Sequence, residues 1–291
     1  MGALLFGLVV LATVDSWDDV EETLRRLSPL ELGMAEALVL VGLAASALTW
    51  RVAAHELGSA VRVAAASKIY FLGQLAKYLP GSIWVLPAQM ELGRHAGVPR
   101  VRALAASIMA IGINVVTGLA IGLLVVPTVV DGGVWRTITL LSLLAVCGVA
   151  LSPPVLTYLL NRGFRAVRRP RLEKDVSWNG IVRAGSLSVA SWASYGTSLW
   201  VLVIGVGAPA GESLPLCIAG IALAMTVGFL VVVAPSGIGI REAIIVAVLA
   251  PVLDRPEALA VALVARLLFT LADLLAAAVV IPVRLRPSEG T

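Results

Sequence analysis

The chain has 291 residues, of which 59% are hydrophobic and only 14% charged, with a mean hydropathy of +0.97. An average soluble domain carries about 25% charged residues, so this chain lacks the charge to cover a water-facing surface. Soluble, disordered and disulfide-rich secreted classes are thereby excluded. The net charge of +4 does not point to nucleic acid, because the basic residues sit between apolar runs and are not gathered on one polar face. Aromatic residues are 5% and glycines number 27, a composition suited to closely packed membrane helices. The alternation and aromatic girdles of a membrane β-barrel are missing. An all-α polytopic membrane protein is predicted, as a single transmembrane domain over residues 1–291.

A spanning helix needs about 20 apolar residues. Met1 to Trp17 is a short candidate without a basic leader or a small-residue exit, and is read as a retained helix. An acidic stretch follows (Asp15, Asp18, Asp19, Glu21, Glu22), with Val20, Leu24 and Leu27 at the spacing of an interfacial amphipathic helix. Full spans are predicted at Leu32–Trp50, Ala103–Val126, Ile138–Leu160, Ala184–Val206 and Leu259–Val283. With the first helix these make about six. Two further apolar regions are interrupted: Ile69–Leu92 by Pro80, Gly81 and Pro87, and Leu216–Leu253 by Pro235, Ser236, Gly237 and Gly239.

Orientation follows from the basic residues. The loop 161–183, with Arg162, Arg165, Arg168, Arg169, Arg171 and Lys174, is expected on the cytoplasmic side, and so is the tail with Arg284 and Arg286. Working along the chain places both termini in the cytoplasm of a cell-membrane protein. Parity then requires Ile69–Leu92 to start and finish inside, and Leu216–Leu253 to start and finish outside. Each is predicted as a re-entrant helical hairpin, the two having opposite orientation in the halves 1–160 and 184–286. Paired breaks of this kind mark inverted-repeat transporters.

The run Gln74-Leu75-Ala76-Lys77-Tyr78-Leu79-Pro80-Gly81-Ser82-Ile83-Trp84, continuing to Gln89-Met90-Glu91-Leu92-Gly93-Arg94, carries a resemblance. With Ala234-Pro235-Ser236-Gly237-Ile238-Gly239-Ile240-Arg241-Glu242-Ala243, it resembles the transmembrane domain of lysylphosphatidylglycerol synthases and their stand-alone, flippase-like relatives. The resemblance covers nearly the whole chain. It implies two re-entrant segments and movement of a polar lipid or lipid-linked sugar between leaflets. The sequence runs only a few residues past Arg286-Pro287-Ser288, to Thr291, with no soluble aminoacyl-transferase domain among them, so lysine transfer is not expected and the lipid is left open.

Charges at membrane depth are the candidates for function, since each costs at least about 2.5–3.5 kcal/mol at a helix centre unless paired. The trace puts Lys77, Arg241 and Arg266 there, with Glu91, Glu242 and Asp273, and Glu36 nearer an edge. Arg241 and Glu242 follow the glycine-rich break, where a helix N-terminus with Gly237 and Gly239 offers amides to a phosphate and Arg241 adds a planar grip. Glu242 either faces a cationic head group or holds Arg241. Lys77 and Tyr78 stand before the first break, and Glu91 and Arg94 follow it. Arg266 and Asp273, seven apart, share a helix face. Pro80, Gly81, Pro235 and Ser236 are read as architectural, and Asn114 as interhelical glue. Mutual ion pairing is the alternative to head-group binding for all of these charges.

No metal or cofactor is expected. His55 and His95 have no ligand spacing, and Cys147 and Cys217 lie singly in apolar runs as small packing residues. A membrane-embedded transferase would need an acid–base set at depth, so no enzyme is expected. The sequence therefore points to a lipid flippase-like transporter whose partners are membrane lipids, with a homodimer as a possible assembly. An ion- or proton-coupled transporter of a small anionic solute and a non-transporting membrane partner subunit are the alternatives.

Overall fold

The computed structural model describes residues 21–22, 25–79, 84–123, 133–166, 175–230 and 239–285. The predicted first helix at 1–17 and the break residues Pro80, Gly81, Pro235, Ser236 and Gly237 lie outside them. The described residues form helices and no strands. In chain order these are α1 (Pro29–Glu56), α2 (Val63–Leu75), α3 (Val85–His95), α4 (Arg100–Gly122) and α5 (Val134–Ala150). After them come α6 (Pro153–Ala166), α7 (Trp178–Gly205), α8 (Ala210–Leu230), α9 (Ile240–Leu249) and α10 (Arg255–Val280). A 3-10 turn, Ala76–Tyr78, extends α2.

Local sequence sets the starts. Ser28 and Glu31 form a capping box at α1: Ser28 N–H donates to Glu31 Oε2 (2.7 Å), and Ser28 Oγ accepts from Glu31 N–H (3.3 Å). Ser177 caps α7 through Gly180 N–H (2.9 Å). Five helices (α1, α4, α7, α8 and α10) are long and apolar enough to cross a membrane. The chain is an all-helical polytopic membrane protein.

One expectation about spans needs correction. Ile138–Leu160 is not one straight crossing: α5 and α6 meet at a bend of 57°. Hydropathy runs unbroken through this stretch, but Pro153 and Pro154 supply no N–H to a continuing helix, and Pro153 disfavours a helical Ser152. Within Leu216–Leu253 the first limb belongs to α8, a span-length helix of 21 residues, and the second limb, α9, is short at 10 residues.

Small residues bring the central helices together. Ser194 Oγ donates to the Leu38 carbonyl (2.7 Å) and Ser198 Oγ to that of Ala35 (2.9 Å), so α1 and α7 run antiparallel. Such side-chain bonds and close backbone approach take the place of the hydrophobic drive that is missing between helices in lipid. Among the described glycines the tightest approach to another helix's backbone is at Gly196, where a Cβ would lie 2.3 Å from Ile218 Cα of α8. Backbone cannot swing aside as a side chain can. Gly196→Ala is expected to destabilise the protein by about 1–3 kcal/mol, read as a lower thermal unfolding temperature in detergent. Gly185→Ala, with open space around the added methyl, should leave stability unchanged or raised, by about 0.5–1 kcal/mol at most.

The two ends of the bundle differ. At one, Lys68 Nζ donates to the Ile281 and Val283 carbonyls (2.6 and 2.7 Å) and Arg102 to that of Gly58 (3.1 Å). At this basic end α2 begins, α3 finishes and α10 ends. At the other end Arg26 pairs with Glu257 (3.1 Å), and Trp200 Nε1 donates to the Ala210 carbonyl (2.8 Å). Here α8 begins and the α9–α10 turn lies. The hairpins α2–α3 and α8–α9 thus open toward opposite ends of the bundle. In the second, a Cβ at Gly220 would meet Val248 (2.9 Å) and one at Gly228 would meet Arg241 (2.7 Å), the pairing of antiparallel limbs.

Candidate functional site

Between the hairpins, near the middle of the bundle, lies a cavity of about 230 Å³. Its wall is largely aromatic and aliphatic, including Trp50, Tyr70, Trp192, Tyr195 and Phe269. Into this wall are set Lys77, Arg241, Glu242, Arg266 and Asp273. The two interrupted regions therefore converge on one space, with α10 between them.

Each carboxylate is tied to a cation across helices. Asp273, 3% exposed, takes Lys77 Nζ at 2.5 Å and the Tyr78 hydroxyl proton at 2.6 Å, both on Oδ2. The 3-10 turn carries Lys77 and Tyr78 to α10, and Lys77 Nζ lies 5.4 Å from the Tyr78 ring centre. Glu242, also 3% exposed, pairs through Oε1 with Arg266 of α10 and through Oε2 accepts from Gly239 N–H (2.7 Å). Gly239 has φ +86, a conformation that disfavours side chains, and it starts α9 so that Glu242 reaches back to its amide. Arg266 and Asp273 lie on one face of α10, as their spacing predicts, and each meets a different hairpin.

Arg241 differs from these. Its stem packs on Gly228, and it lines the cavity without an ion pair or side-chain hydrogen bond among the described residues. Its Nε is buried with no hydrogen-bond partner. Three cations and two anions line the cavity, and Glu36 of α1, outside its wall, has both carboxylate oxygens buried without a hydrogen-bond partner among the described residues.

Glu91 and Arg94 are not brought to this cavity. Glu91 sits near the basic end, about half exposed, bound by Arg94 (2.6 Å) and Arg100 (2.7 Å). These guanidiniums, Arg94 first, hold its carboxyl down to about 2. Glu91 therefore pairs with arginines of α3 and α4 and does not line the cavity. Gly237 lies outside the described residues.

Neutral groups complete the wall. Gln89 Oε1 lies 2.6 Å from Ser107 Oγ, which accepts from Trp50 Nε1 (2.9 Å). Asn114 Oδ1 accepts from Ser188 Oγ (2.8 Å), so it ties α4 to α7 and lines the cavity as well. Sequence reasoning passed over Tyr70, Gln74 and Thr226, which also face it. Being neutral, they cost little in an apolar run and give only a weak signal.

The family model for the lysylphosphatidylglycerol synthase TM region matches residues 1–277. The chain belongs to this family. The match spans both hairpins and α10 as far as Asp273, so every cavity residue named above falls within the family region. No curated protein matches the chain.

Proposed function

We propose that this protein is a lipid flippase-like transporter that moves a polar lipid head group between leaflets, with Arg241 engaging its phosphate. The observation that carries this reading is Arg241, which lines the cavity with its Nε buried and without a hydrogen-bond partner among the described residues. An ionisable residue inside the membrane is a functional-site hypothesis by default. Large side chains such as Leu141, Val146, Leu267 and Val279 are exposed on the outer faces of the helices, as lipid-facing surfaces require. The basic end would face the cytoplasm by the positive-inside rule, with the hairpins entering from the two leaflets. Both carboxylates at the cavity are engaged by cations, which suits holding a charge in place better than exchanging protons in an enzymatic reaction.

Reconstitution into vesicles tests this reading. Phospholipids carrying a fluorophore on an acyl chain are exposed to a membrane-impermeant quencher. Purified protein should raise the quenched fraction above the outer-leaflet half. Quenching that stays at the value of protein-free vesicles for every phospholipid class would overturn the proposal. Uptake of a soluble anion under the same conditions would favour the small-anion transporter instead.

A further inference from the structure

We infer that a groove at the basic end of the bundle is a docking site for an anionic phospholipid of the adjoining leaflet, held as a fixed partner and not as cargo. The groove has a volume of about 310 Å³ and lies between the start of α2, the turn after α3 and the chain leaving α10. Small side chains, Ala60, Ala64, Ala65 and Ala96, leave the space open. Its charged lining residues among those described are Arg62 and Arg284, both cations. None of its residues lines the cavity around Arg241.

The cations here are satisfied as donors but not as charges. Lys68 donates to the Ile281 and Val283 carbonyls, and Arg51 Nε to that of Val61 (2.8 Å). Main-chain carbonyls, even at a helix C-terminus, carry partial charges that offset only part of a full one. Arg62 and Arg284 have no ion pair or side-chain hydrogen bond among the described residues. Carboxylates at this end are engaged or placed elsewhere: Glu56 accepts from Ser177 N–H (2.8 Å), Glu91 is held by Arg94 and Arg100, and Asp175 does not line the groove. A head-group phosphate supplies the missing negative charge, with oxygens enough for two guanidiniums. Basic pockets between membrane helices bind anionic lipids in this way. The groove also adjoins lipid-facing surface, since Val63 and Ile281 beside it are exposed and offer an acyl chain an apolar track. A soluble anion would have no use for that track.

Native mass spectrometry of the full chain, released from detergent containing either phosphatidylglycerol or phosphatidylcholine, tests the inference. The lipid lost between wild type and Arg62→Gln/Arg284→Gln is the groove's share. Phosphatidylglycerol should bind the double variant about 30-fold more weakly at this site, and phosphatidylcholine retention should not change. Arg62→Lys/Arg284→Lys should keep most of the binding. Arg183→Gln, which removes a cation of α7 outside the groove, should leave it unaltered. Should the double variant fail to fold, Arg284→Gln alone, beyond the last helix, should weaken retention about fivefold. Phosphatidylglycerol retention unchanged in the glutamine variants would overturn the inference. So would an equal loss in Arg183→Gln, which would mark diffuse surface charge, or an equal loss of phosphatidylcholine. Displacement of the lipid by inorganic phosphate at equal concentration would assign the groove to a soluble anion and overturn it too. Transfer between leaflets is not the readout, so each of these results leaves the flippase reading standing.

Discussion

Replacing Arg241 with glutamine should cut lipid transfer by about 10- to 150-fold while leaving the fold at least as stable as wild type. The rate loss follows from about 1.5–3 kcal/mol for a hydrogen bond to a charged group, at about 1.4 kcal/mol per factor of ten. The stability expectation follows from the missing partner. A buried cation whose Nε has no hydrogen-bond partner among the described residues is a cost to the fold, so neutralising it relieves the structure. Sites that work by holding an uncompensated charge commonly trade stability for function in this way. Transfer by quencher accessibility and thermal unfolding in detergent should therefore move in different directions. A variant that loses activity and stability together would show Arg241 to be a packing residue.

The pair Glu242–Arg266 gives a second large effect, and an asymmetric one. Glu242→Ala leaves Arg266 without its carboxylate beside Arg241, and it strips the Gly239 amide of its acceptor. Breaking a buried pair from one side costs about 3–5 kcal/mol, and the two guanidiniums then repel. Arg266→Ala should cost less, because the neighbouring Arg241 is positioned to compensate Glu242. Its consequence falls on function: once Arg241 is drawn to Glu242, it is no longer available to a phosphate. The expected pattern is an unstable Glu242→Ala protein and a folded, poorly active Arg266→Ala protein. Equal losses of stability in the two would contradict the assignment of Arg241 as the spare cation.

Much of this arrangement was legible in the sequence. Apolar length located the spans within α1, α4, α7 and α10, and the seven-residue spacing put Arg266 and Asp273 on one face. The parity of basic loops implied two hairpins opening to opposite sides. Three features escaped for physical reasons. Hydropathy has no angular content, so the bend before Pro153-Pro154 was hidden in an unbroken apolar run. The break at 235–239 drew attention away from α8, whose 21 residues suffice to span. Glu91 was grouped with the cavity charges, although Arg94 three residues on and His95 four residues on are its nearest partners on the same helix.

Which cation stays unpaired was not readable from sequence. Lys77, Arg241 and Arg266 are separated by up to 189 positions, and only the packing of α10 between the hairpins decides which two of them meet Asp273 and Glu242. That outcome is the centre of the account.

The most direct measurement is an experimental structure of the protein in phosphatidylglycerol nanodiscs. The account predicts head-group density in the cavity, with phosphate oxygens about 2.7–3.2 Å from the Arg241 guanidinium, and with Lys77–Asp273 and Arg266–Glu242 intact. An empty cavity in which Arg241 is paired with a carboxylate of the protein would contradict it.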